Sequence, residues 1–124
     1  MSVLLGQGTG GGALALLPAD RVLCAQHGWL APLPPEGASA IVHRDTTHAP
    51  AMAQDQGIRS RDLLRDGVVD AIVPEHPDAT EEPVSFVKRV GAAVARELAI
   101  LTDEPAEDRY RRRIERYRKL GVHS

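Results

Sequence analysis

An α/β fold is predicted by three features of this sequence. Short apolar runs at residues 21–25 (RVLCA) and 68–73 (VVDAIV) have the length and β-branched content of buried strands. Ala- and Leu-rich stretches favouring helix alternate with them, and the last third of the chain carries an apolar period of three to four residues. Only four aromatics occur, Trp29, Phe86, Tyr110 and Tyr117, so the core must be closely packed Ala, Val, Leu and Ile. At 124 residues the chain has the size of one small domain or part of one.

Residues 3–5 read as the end of a buried strand, and Gly11 or Gly12 opens a short helix through Leu17 that Pro18 stops. Strands are expected at 21–25 and 29–33, with the turn Gln26-His27-Gly28 between them. Pro34-Pro35-Glu36-Gly37 breaks regular structure, and brief helices come next at 38–43 and 49–56. Ser60 is expected to cap a helix over RDLLR that ends at Gly67, and VVDAIV is the strongest strand signal in the chain.

After the polar connector EHPDATEEP, Thr80 is expected to cap a long helix, with Glu81 and Glu82 near the positive end of its dipole. Val87, Val90, Val94, Leu98 and Leu101 form its expected packing face. Asp103 is expected to cap a final helix over 104–120, stopped by Gly121. That helix carries seven Arg or Lys against three acids between residues 107 and 120, net +4, which leaves −6 for the rest of a chain whose total is −2. The expected role of its basic side is a solvated face favouring the helix's own dipole, not a nucleic-acid contact. Arg59 and Arg61 are the alternative cations for a partner or a cofactor phosphate.

A single cysteine, Cys24, excludes an internal disulfide, and neither a secretory signal nor an apolar run of membrane-spanning length is evident. The expectation is a soluble, cytoplasmic protein without membrane contact. Cys24 in an apolar strand reads as an inert buried thiol, not as a nucleophile served by His27. His43 and His48 lie five apart, which does not place two ligands on one helix face, and no metal site is expected.

Five of the seven residues from Gly6 to Gly12 are glycine, and Gly6-x-Gly8-x-x-Gly11 matches a dinucleotide fingerprint by letter. The residues downstream of the glycines do not fit it. Pro18 ends the helix early, no acid lies between Arg21 and Pro35, and no Gly-Lys-Ser/Thr is present for a phosphate loop. Two readings of the row remain open: glycines that let strand and helix pack closely, or unobstructed N–H groups aimed at a developing oxyanion.

GQGTGGGALAL, then AD-RV, PPEGASAIVHRD, DLLRDGVVDAIVPEHP and AEDRYRRRIERYRKLG resemble, in order, the C-terminal half of the α-type carboxyltransferase subunit of bacterial acetyl-CoA carboxylase. The resemblance implies a partial crotonase-like ββα superhelix with C-terminal helices, divided as a core over 1–78 and a helical extension over 79–124. It implies transfer of a carboxyl group from carboxybiotin on a carrier protein to acetyl-CoA or another short acyl-CoA, within an oligomer. The expected partners are a β-type carboxyltransferase chain, biotin carboxyl carrier protein and the N-terminal half of the fold. Gly11 and Gly12 align with the glycine pair whose N–H groups face the ureido oxygen of biotin, and Gly8, Gly10 and Ala13 are expected to border the substrate.

Gln7, Thr9 and Gly10 depart from the family's usual residues before the pair. Hydratases of the same superfamily use two glutamates. Here Glu36 offers one, but Leu14 stands at the position of the other, and Glu36 itself is expected to serve as a turn residue. The alternative to an enzyme component is a non-catalytic fragment or assembly module of the same fold.

Overall fold

The computed structural model describes residues 1–120. Its elements run β1 (Ser2–Leu4), β2 (Gln7–Thr9), α1 (Gly10–Ala15), β3 (Val22–Ala25), β4 (Trp29–Ala31), α2 (Pro35–His43), α3 (Ala49–Asp55), α4 (Ser60–Arg65), β5 (Ala71–Val73), α5 (Pro83–Asp103) and α6 (Ala106–Lys119). Two successive ββα units stack as rungs of a superhelix. β1, β3 and β5 form one parallel sheet in that order, with Ser2 opposite Val22, while β2 and β4 form a second, with Gln7 opposite Trp29. The expected ββα architecture with C-terminal helices is therefore the observed one.

The central strand β3 is buried along its whole length, which is why VLCA is continuously apolar instead of alternating. Its side chains still alternate in direction. Val22 and Cys24 enter a core with Leu4, Leu30, Leu63 and Val69, whereas Leu23 and Ala25 enter a second with Val73, Phe86 and Ala93. Full burial of Val22 or Leu23 contributes about 1.5–3 kcal/mol each.

Several local expectations are corrected. β2 lies inside the glycine row, where propensity disfavours a strand, because pairing with β4 supplies the ladder. Pro34-Pro35 starts α2 instead of breaking structure, since proline suits a first helical turn, whose N–H groups need no intrahelical acceptor. Ser60 is not a cap. It lies inside α4, and its Oγ donates to the Gln26 carbonyl at 2.6 Å. The strand expected from residue 68 is shorter, because the Val68 and Val69 N–H groups both bond the Leu63 carbonyl behind α4.

Thr80 does not cap α5. Its N–H and Oγ1 donate to Asp78 Oδ1 at 2.8 and 2.7 Å, and the helix begins at Pro83. The buried face of α5 is also rotated from the expected valine stripe: Val87 is 68% and Leu98 47% exposed, whereas Phe86, Ala93 and Glu97 are buried. Val90 and Val94 pack beside them. The bulk of Phe86 and the ion pair between Glu97 and Arg21 (2.5 Å) set that rotation. Asp103 ends α5 and caps nothing, and Pro105 precedes α6. The expected stop at Gly121 lies outside the described residues.

The basic side of α6 is only in part a solvated face. Arg109 and Arg113 approach Asp20 at 3.6 and 3.7 Å, Arg112 pairs with Glu104 at 2.8 Å, and Arg116 pairs with Asp70. Tyr117 adds a hydrogen bond from its hydroxyl to the Leu17 carbonyl at 2.5 Å. Arg109, Arg113 and Arg116 therefore tie α6 to acids on the rungs, while Arg111, Arg118 and Lys119 keep the exposed face that was expected. Among the described residues, no helix is long and apolar enough to cross a membrane.

Candidate functional site

The glycine row contains three kinds of position. A Cβ on Gly8 would stand 3.0 Å from Leu30 Cδ1, 3.2 Å from the Trp29 carbonyl oxygen and 3.4 Å from Ala13 Cβ, so Gly8 and Ala13 meet at the β2–α1 junction. Gly10 has φ +71°, the left-handed conformation that lets the chain turn from strand into helix. Gly11 and Gly12 are exposed, and a Cβ on either would meet nothing within 4 Å. Both lie in the first turn of α1, where backbone N–H groups have no intrahelical acceptor.

A cleft of about 820 Å³ lies on the neighbouring rung. Trp29, Pro35, Pro50 and Ile58 supply apolar wall, and His27, Glu36, Arg59 and Arg61 supply polar groups. Glu36 sits exposed in the first turn of α2. Arg59 and Arg61 both reach the cleft, but Arg59 Nε is committed to Asp62 Oδ2 at 2.9 Å. That hydrogen bond, ahead of the charges of Arg59 and Arg65, holds the Asp62 carboxyl below its ordinary value.

The turn Gln26-His27-Gly28 forms the cleft's edge and is clasped from both sides. The Gln26 N–H donates to the Val73 carbonyl at 2.9 Å, and its side-chain Oε1 accepts from the Glu75 N–H at 2.9 Å. Glu75 returns the contact: Oε2 accepts the His27 N–H at 2.7 Å, while Oε1 accepts the Ala79 N–H at 2.9 Å. Gly28 is required here, because a Cβ would lie 2.9 Å from Cys24 Sγ and 3.1 Å from two backbone carbonyl oxygens.

Burial, with the charge of Glu75 second, pushes the Cys24 thiol up to about 11, as the reading of an inert thiol requires. His43 and His48 stack with ring centroids 4.1 Å apart. His48 Nδ1 lies 3.0 Å from Asp45 Oδ1, and hydrogen bonding, first from Thr47 and then from His48, draws the Asp45 carboxyl down to about 2. A different group comes together where spacing gave no signal: His27, Glu75 and Asp78 place one donor atom each within 4.8 Å of one another. These residues span the β3–β4 turn and the β5–α5 connection, so only the parallel pairing of β3 with β5 joins them.

Comparison with known proteins gives a consistent family. The family described as acetyl co-enzyme A carboxylase carboxyltransferase-like matches residues 1–121. A Mycobacterium tuberculosis protein named "Probable biotin-dependent acyl-coenzyme A carboxylase beta3 subunit" is 62% identical over 122 residues, covering 98% of this chain and 25% of that protein. The acetyl-coenzyme A carboxylase carboxyl transferase subunits beta/alpha of Salinispora tropica are 42% identical over 98% of this chain and 22% of that protein. The carboxyl transferase subunit alpha of Thermus thermophilus is 38% identical over 98% of this chain and 39% of its own length. This chain thus spans about a quarter to two fifths of these relatives. A solved transcarboxylase 12S chain aligns at TM-score 0.48 and 23% identity, over 73% of this chain and 19% of that one.

Proposed function

Because this chain belongs to the acetyl-CoA carboxylase carboxyltransferase-like family of biotin-dependent acyl-CoA carboxylases, we propose that it forms part of a carboxyltransferase that moves a carboxyl group from carboxybiotin to a short acyl-CoA. It acts with a β-type chain, the N-terminal half of the fold and biotin carboxyl carrier protein in an oligomer. Acetyl-CoA, which yields malonyl-CoA for fatty acid synthesis, is the acceptor suggested by the names of the Salinispora and Thermus relatives. The name of the Mycobacterium relative leaves the acyl group open.

Within that reaction Gly11 and Gly12 serve as backbone N–H donors. As the carboxyl group leaves the ureido nitrogen of biotin, negative charge grows on the ureido oxygen, and two fixed N–H groups stabilise it. The stabilisation makes biotin a better leaving group without any side-chain nucleophile. Gly10 orients the donors by turning the chain, and Gly8, Gly10 and Ala13 border the substrate through their backbone. The carrying observation is the open space at Gly11 and Gly12: nothing in this chain requires glycine there, as close approach from outside would.

The test is co-expression with the complementary half and the β-type partner, then an assay of malonyl-CoA-dependent carboxyl transfer to free biotin. Wild type is expected to transfer and Gly12→Val to lose most of that rate. Equal rates, or no transfer by the wild-type assembly, overturn the reading. The alternative of an assembly module draws on Leu16, Ile41 and Val42, which are 63–72% exposed and suit subunit contact. It predicts transfer indifferent to residue 12.

A further inference from the structure

We infer that His27, Glu75 and Asp78 form a divalent transition-metal site, of the zinc class, on the edge of the cleft and separate from the glycine pair. The first observation is spacing. His27 Nδ1 stands 3.5 Å from Glu75 Oε2 and 3.5 Å from Asp78 Oδ2. An N–H···O hydrogen bond is shorter, about 2.7–3.2 Å. Ligands about 2.0–2.2 Å from a tetrahedral zinc ion lie about 3.3–3.6 Å apart, which both separations from His27 match, and all three donor atoms lie within 4.8 Å of one another.

The second observation is charge. Glu75 is 7% exposed, and among the described residues no lysine or arginine pairs with it, leaving His27 as its one potentially cationic neighbour. Its carboxylate is satisfied by the neutral N–H groups of His27 and Ala79. Asp78 adds a second carboxylate on the same side. Buried carboxylates are ordinarily paired or bound to metal, and a cation between these two groups offsets their charge.

The third observation is orientation. Asp78 Oδ1 is held by the Thr80 N–H and hydroxyl, which leaves Oδ2 toward His27, and Glu75 is held by two backbone donors. Ligands steered by such outer partners are what a metal position needs. One imidazole and two carboxylates suit zinc, manganese or cobalt better than magnesium or calcium. Three protein ligands leave a fourth position to water, and the bound ion would latch the β3–β4 turn to the β5–α5 connection.

Trp29, the sole tryptophan, lies two residues from His27 on the same cleft and reports on the site. Zn²⁺ is titrated into the 124-residue chain, monitored by Trp29 fluorescence and calorimetry. The expected result is one equivalent bound with Kd of about 10 μM or tighter, reversed by EDTA. His27→Ala and Asp78→Asn, both at half-exposed side chains, are each expected to weaken binding about tenfold or more. His48→Ala, which removes the other histidine–carboxylate pair, is expected to leave it unchanged. Weaker wild-type binding, binding indifferent to His27 and Asp78, or binding lost in His48→Ala overturns the site.

Discussion

Gly12 and Gly28 are the same residue type under opposite constraints. Around Gly28 the chain fills the space a methyl group would take, while around Gly12 it fills none within 4 Å. Gly28 is explained by the interior: the β3–β4 turn must pass close to Cys24 and the Leu4 carbonyl for the rungs to stack. Gly12 has no such explanation inside the chain, and the proposed reason is close approach of a substrate oxygen from outside. Glycine count alone does not separate a packing device from a binding device. The environment of the absent side chain identifies the packing device.

The largest expected effect breaks or confirms this contrast directly. Gly12→Val in the co-expressed assembly should lower carboxyl transfer by about 10²–10³, or about 2.7–4 kcal/mol, with unchanged thermal unfolding. A lowered melting temperature accompanying the lost rate would place Gly12 with Gly28 as a folding residue. Gly28→Ala should instead destabilise the fold by about 1–3 kcal/mol, read from chemical denaturation, because backbone and the buried Cys24 have little room to give. An unchanged denaturation midpoint would show that the turn is looser than its contacts imply.

Gly10→Ala tests the intermediate kind. Its positive φ costs an L-residue about 1–2 kcal/mol although the space around it is open, so a stability loss without a packing clash is expected. The smallest signal comes from Cys24. With its thiol pushed up to about 11, the protonated form dominates at pH 8, where the thiolate is about one part in a thousand. Labelling of the folded chain by a thiol reagent should be negligible at pH 8 and rise as pH approaches 11. Gly28→Ala should accelerate labelling, whereas Gly12→Val should not.

Legibility in the sequence tracked the range of the interactions. VLCA was readable as a strand because burial on both faces imposes a continuous apolar run. The helical nature of α5 was readable from its period, but not which face is buried, since Phe86 and the Glu97–Arg21 pair decide that from outside the helix. Ser60 and Thr80 carried good capping signals, yet their hydroxyls found the Gln26 carbonyl and Asp78 instead. β2 was hidden because its strand character comes from β4 and not from Gln7-Gly8-Thr9.

The sequence by itself determined the alternation of strands and helices, the small-aliphatic core, the family and the two adjacent glycines that carry the proposed chemistry. Local propensity, burial pattern and an ordered set of motifs suffice for these, because each is written into neighbouring residues. Only the tertiary structure decided which glycine serves the interior and which faces outward, which arginines of α6 are neutralised, and that His27 meets Glu75 and Asp78. Those outcomes depend on which rung lies beside which, and residues about fifty positions apart become neighbours only when β3 and β5 pair.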